Sequence, residues 1–208
     1  MNVINIVGKV NRQPYITHYH GEEAFYLLEI AVERTSGTID YIQCNVSSRL
    51  MPKHLTINDY VLIEGEIRER PQNGHLDTYV SVNNMRYSDE KQHCNMVFLH
   101  GFLVGMERMK VTDLTKRRLV EATIASNRET SNKSDYLHCL FWNGDAFRIA
   151  KLSKGAELEL VGRLQSRVHP VHNSEDITER TVYEISVSRF EEITHEDKRN
   201  NDTELQRM

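Results

Sequence analysis

Four side chains at two-residue spacing, Tyr136, His138, Leu140 and Trp142, give this sequence its clearest chemical character. Alternation through this stretch predicts a strand, with these four on one side and Leu137, Cys139 and Phe141 on the other. The second set is core material. The first is aromatic and polar, and Trp142 is the only tryptophan of the 208 residues. An exposed Tyr or Trp offers its π-face to any base, so this row suits stacking of single-stranded nucleic acid without sequence readout, at ~1–3 kcal/mol per base. Tyr136 and Trp142 stand about 20 Å apart along a strand, enough to span several nucleotides. The plainer alternative is that Trp142 packs against the helix-like segment that follows.

Phosphate contacts need cations. Arg163 and Arg167 share the parity of Gln165 and His169 in the next predicted strand, which places all four on its outward side. Arg128, Arg68 and Arg70 are further candidates, and Tyr41 repeats Tyr136 in the first half. The run Lys116-Arg117-Arg118 is another candidate, with a solvated turn as the plainer alternative. Glu66 stands where the second half has Arg163, and a carboxylate there repels phosphate.

Other chemistries find little support. Cys44, Cys94 and Cys139 are odd in number and widely spaced, which predicts buried thiols in a reducing cytoplasm rather than disulfides or a zinc pair. Of ten histidines, His18/His20 and His169/His172 lie close in sequence, but no Cys pair or carboxylate joins them at ligand spacing, so no metal or cofactor is expected. Gly8, Gly65, Gly101 and Gly162 are isolated within strands and form no phosphate cradle; no nucleophile–base–acid set stands out, so no enzyme is expected. No apolar run approaches the ~20 residues of a membrane span, and the N-terminus reads as a strand rather than a signal peptide. Net charge is -4 and the pI about 6.2, so a nucleic-acid surface must be a local patch. Residues 1–89 carry an acidic excess, whereas residues 95–192 are balanced.

The elements that must hold these residues are short strands. Asn2 to Val10, Phe25 to Glu33, Tyr41 to Val46, Tyr60 to Arg70 and Leu76 to Met85 alternate or are rich in β-branched residues. Pro14 to Glu23 reads as a loop, Asn73-Gly74 as a hairpin turn, and Ser47 to Leu55, broken by Pro52, as a connector. The same order then returns. Asn2 and Gly8 recur as Asn95 and Gly101, Arg34 as Arg128, Asp40, Tyr41 and Cys44 as Asp135, Tyr136 and Cys139, Gly65 as Gly162, and Ser81 as Ser186. The offset grows only where loops are expected, above all across the polar stretch His169 to Arg180. The sequence thus predicts an all-β chain of two tandem five-stranded Greek-key barrels of the OB-fold type, each with a short helix or connector between its third and fourth strands. The expected division is 1–89, a linker at 90–94, 95–192, and a polar, disordered tail at 193–208.

Once the repeat is aligned, both halves resemble the bacterial single-stranded DNA-binding protein family. The resemblance rests on Asn2–Val10 and Asn95–Leu103 as the opening strand, on Phe25–Arg34 and Arg118–Arg128 as the Leu-Ala-x-x-Arg strand, and on Tyr136–Ala146, Lys154-Gly155 and Glu159–Arg167. It implies binding of single-stranded DNA, in replication, repair or recombination, by stacking on aromatics of the third and fourth strands. The family's two aromatics on the third strand fall on Tyr136 and Trp142, but on Tyr41 and Ser47 in the first half. A later one falls on His169 and Gln72. Duplication implies a homodimer with four OB domains. The chain ends Glu-Leu-Gln-Arg-Met208 without the family's acidic Pro-Phe tip, which sets aside the recruiting role of that tip. An adaptor in a replication-restart or mobile-element complex, and an RNA-binding OB protein, are the rival expectations. With serine at the tryptophan position, the first barrel is expected to be the weaker binder.

Overall fold

The computed structural model describes residues 1–72, 75–89, 93–172 and 177–194. The expected Asn73-Gly74 turn, Glu90, Lys91 and Gln92 of the expected linker, the middle of the expected polar loop and the tail beyond Thr194 lie outside these residues, as do the side chains of 72, 75, 170–172 and 177–179. By compactness the chain divides into two units. The first holds Asn2–Val97 with Arg163–Ile185, and the second holds Met1, Phe98–Gly162 and the chain from Ser186.

The first unit is built on β1 (Asn2–Val10), β2 (Tyr15–His20), β3 (Glu23–Glu33), β4 (Ile39–Ser47), β5 (Tyr60–Gln72) and β6 (His75–Tyr87). Their order is β2-β3-β4-β6-β5-β1, and β1 also pairs with β3, so five of the strands return on themselves. Only the β4–β6 pairing is parallel. The expected alternation holds: Leu28, Ile30, Val32, Ile42, Cys44, Val46, Ile63 and Ile67 are all buried. The β5–β6 register slips between Glu64 and Gly65, and a Cβ at Gly65 would come 2.3 Å from the Ser81 carbonyl oxygen.

One local reading is corrected. Pro14 to Glu23 is not a loop, since β2 pairs antiparallel with β3 across a turn at Gly21, which has a left-handed φ of 61°. Every residue of β2 is exposed. A strand with no buried face gives no in–out pattern to read, and pairing with β3 alone holds it.

The second unit contains β7 (Asn95–Met106) from Phe98 onward, β8 (Lys110–Val111), β9 (Arg118–Asn127), β10 (Ser134–Trp142), the helix α1 (Gly144–Ile149), and the parts of β11 (Glu157–His172) and β12 (Ile177–Glu192) that belong to it. The order β7-β11-β12-β10-β9-β8, with β7 also paired to β9, repeats that of the first unit. Leu99, Leu103, Ile124, Leu137, Cys139 and Leu158 fill its core. Phe141 is fully buried and meets Phe190 edge-on at 5.1 Å. The helix α1 adds Ala146 and Ile149 to the same core. Burial pushes the thiols of Cys44 and Cys139 far up, as inert core residues.

Candidate nucleic-acid interface

In the second unit β10 lies against β9 in the register Tyr136↔Ala125, His138↔Thr123, Leu140↔Glu121 and Trp142↔Leu119. The even-numbered residues therefore share the outward face, but not equally. Tyr136 is 49% exposed and Trp142 half-buried, whereas Leu140 is 4% exposed and belongs with the covered surface. His138 Nε2 lies 3.1 Å from Glu121 Oε2, and Glu121 also pairs with Lys110. Burial pulls the Glu121 carboxyl up, but hydrogen bonds from Lys110 and His138 outweigh it and hold the carboxyl below its usual range. The row has Tyr136 at one end and Trp142 at the other, separated by a histidine hydrogen-bonded to Glu121 and a covered leucine.

Trp142 is clamped on two sides. Its indole Nε1 donates to Ser186 Oγ at 3.1 Å, and the Arg117 guanidinium carbon stands 4.7 Å from its ring centroid. Arg118 covers Phe147 of α1 in the same way, at 4.9 Å. The Lys116–Arg118 turn is therefore ordered against aromatic rings rather than simply solvated. The contact of Arg117 with Trp142 and the pairing of His138 and Lys110 with Glu121 escaped the sequence reading, because they depend on which residues neighbouring strands bring side by side.

Most of the cations expected at phosphates are held by carboxylates. Arg128 Nε donates to Asp135 Oδ2 at 2.9 Å, and Asp135 is fully buried. In the first unit, Arg34 Nε donates to Asp40 Oδ2 at 2.7 Å in the same arrangement. Arg167 reaches the buried Glu184 at 2.6 Å, and Arg68 pairs with Glu66. Arg70 stands 5.1 Å from the Tyr79 ring centroid. Arg163 is half-buried with no ion-pair partner among the described residues, and His169 is exposed.

Tyr41 is 43% exposed, on a strand fixed by the Arg163–Ile185 segment of its own unit. Its amide donates to Ser166 Oγ at 3.0 Å, and its carbonyl accepts from the Tyr183 hydroxyl at 3.0 Å. The Gln43 amide donates to that same hydroxyl at 3.2 Å. Burial raises the Tyr183 phenol well above its usual range, so it stays protonated and keeps donating.

Residues 94–193 match the Single-strand binding protein family. The match covers a little under half of the chain. The matched residues include Tyr136, His138 and Trp142 in the second unit, and Arg163, Arg167 and His169 in the first. The wild-type single-stranded DNA binding protein from Thermus aquaticus superposes with a TM-score of 0.75 at 18% identity, over 94% of this chain and 94% of its own. A deletion variant of that protein gives a TM-score of 0.74 at 19% identity, over 94% of this chain and 95% of its own. The chain is similar in fold to these proteins over nearly its whole length. No curated protein sequence matches it.

Proposed function

We propose that this chain is a non-catalytic cytoplasmic protein of two tandem five-stranded OB-fold barrels that binds single-stranded DNA with little sequence preference, in replication, repair or recombination. Tyr136 and Trp142, on one face of β10 within the residues that match the Single-strand binding protein family, carry this reading. An aromatic pair there stacks bases of any identity. Arg117, whose guanidinium stands over the Trp142 ring, supplies positive charge beside that strand. Because Arg68, Arg128 and Arg167 are already paired, phosphate neutralisation, and with it the salt dependence, is modest for a protein of this class. The fold likeness and the duplication support assembly of two copies into a four-barrel dimer.

The test is titration of an oligo-dT with the intrinsic fluorescence of Trp142, at two salt concentrations. Strong quenching that weakens at higher salt is the expected result. Absence of quenching at low salt sinks the reading. Competition by poly-U against poly-dT separates RNA from DNA preference, and the mass in solution with and without dT oligomers tests the dimer.

A further inference from the structure

The β3–β4 pair of the first unit and the β9–β10 pair of the second are both regular antiparallel pairs, which allows comparison position by position. On β9 and β10 the pairs on the side of Tyr136 and Trp142 are Leu119–Trp142, Glu121–Leu140, Thr123–His138 and Ala125–Tyr136, of which Leu119 and Leu140 are buried. On β3 and β4 the corresponding pairs are Phe25–Ser47, Leu27–Asn45, Glu29–Gln43 and Ala31–Tyr41. The last pair of each series sets the alignment: a tyrosine opposite an alanine in both. At the other end the ring has changed strands. The second unit has its large aromatic on the third strand and an aliphatic opposite; the first has a serine on the third strand and Phe25 opposite. Directly opposed side chains start about 4.5–5.5 Å apart, so the ring moves by roughly its own width and the row keeps one.

A second likeness is independent of register. Each ring is topped by a planar group from the chain just before its strand pair. Over Trp142 it is the Arg117 guanidinium, at 4.7 Å. Over Phe25 it is the His18 imidazole of β2, with centroids 4.9 Å apart and planes 8° from parallel. His18 is exposed, and Phe25 is half-buried. The Thr17 hydroxyl donates to the Phe25 carbonyl at 3.2 Å and stands 2.9 Å from His18 Nδ1, which fixes the imidazole over the ring. Ser47 is buried and donates to Glu23, whose charge Arg49 offsets at 3.3 Å. The Arg49 side chain is 78% exposed, so the corner also carries an accessible cation.

We propose that the Phe25–His18 stack is the nucleobase-stacking site of the first unit, in place of the aromatic that Ser47 lacks. The inference rests on the single-stranded DNA reading above. A base lies on the outer face of the imidazole, extending the stack to three layers, or takes the place of His18 on Phe25. Imidazole and phenyl planes both accept any base. Arg49 supplies a phosphate contact beside it. The first barrel is then a full binding unit rather than a degenerate copy.

The experiment moves the fluorophore. In the variant Phe25→Trp/Trp142→Phe, the sole tryptophan sits in the first unit. Fluorescein-labelled oligo-dT is added until its anisotropy saturates, and tryptophan emission is read at that point. Wild-type protein is measured first. If its Trp142 emission is not quenched, the single-stranded DNA reading itself has failed. If wild type quenches and the relocated tryptophan does too, the stack is a base site. An unquenched relocated tryptophan at saturation overturns the proposal. His18→Ala is the second arm, because the fully exposed β2 carries no core packing to lose. It is expected to weaken dT binding by roughly tenfold, and unchanged affinity counts against the site in the same way.

Discussion

Arg117 holds its guanidinium carbon 4.7 Å from the centre of the Trp142 ring, while Ser186 accepts the indole N–H on the ring's edge. The tryptophan is thus oriented before any ligand arrives, with a positive charge over one face. Ordering cost is then small on binding, and the guanidinium can stack on a base or contact a phosphate. Arg117→Ala is expected to lower dT affinity severalfold and to reduce the slope of log affinity against log salt by about 0.7, the value for one phosphate contact on a single strand. Binding isotherms at four or more salt concentrations check this. An unchanged slope removes Arg117 from the phosphate contacts.

Trp142→Ala is expected to cost more affinity than Tyr41→Ala. Loss of a stacked base partner is worth ~1–3 kcal/mol, about 5- to 150-fold. Tyr41 offers a smaller ring, and no cation or ring is stacked on it among the described residues, while its strand is bonded to Ser166 and Tyr183 through backbone groups that the mutation leaves intact. If the relocated stack in the first unit is correct, Phe25→Ala falls between the two. Titrations of the three variants under one salt condition give the ranking, and a larger loss for Tyr41→Ala reverses it.

The strands that carry these residues were legible because one face of each is buried. Leu28, Ile30 and Val32, or Leu137, Cys139 and Phe141, recur at period two because water is excluded from that side only. β2 was not legible for the opposite reason, being exposed on both faces. The partners of the site cations were hidden too. Glu184 lies 17 residues from Arg167 in sequence, and Asp135 meets Arg128 only through the β9–β10 register. The repeat in sequence matched Arg34 with Arg128 and Asp40 with Asp135, yet alternation alone does not say that the members of each pair bind one another. The same limit concealed Phe25. Its position opposite Ser47 is a property of two strands, and a one-strand reading sees only that the tryptophan position holds serine.

Glu121 links the interface to pH. Its carboxyl is held below its ordinary value of 4.5, because hydrogen bonds from Lys110 and His138 outweigh the upward pull of burial. A carboxyl with a depressed folded value adds stability above its unfolded value and loses it as pH falls through the folded one. Glu121→Gln should therefore destabilise the protein at neutral pH, and the gap from wild type should shrink below about pH 4.5. Urea midpoints of both proteins from pH 3 to 7 report this. A gap that is constant with pH would show that the carboxylate charge contributes nothing.

Arg128 separates a structural from a binding role most sharply. Its partner Asp135 has no exposed surface, and two guanidinium nitrogens bind its two carboxylate oxygens. Removing one member of such a pair leaves a buried charge without its counterion, which costs ~3–5 kcal/mol. Arg128→Ala should therefore lower the urea midpoint strongly, and Arg128→Lys partly, since lysine keeps the charge but not the two-pronged geometry. The first unit offers a parallel case: Asp40→Ala removes the acceptor of both Arg34 and the Ser166 amide, which lies 2.6 Å from Asp40 Oδ1. DNA binding gives the contrast. If Arg128 serves the fold, Arg128→Ala that remains folded at low temperature binds dT with an unchanged salt slope. A slope lowered by about 0.7 with little loss of stability would instead return Arg128 to the phosphate contacts.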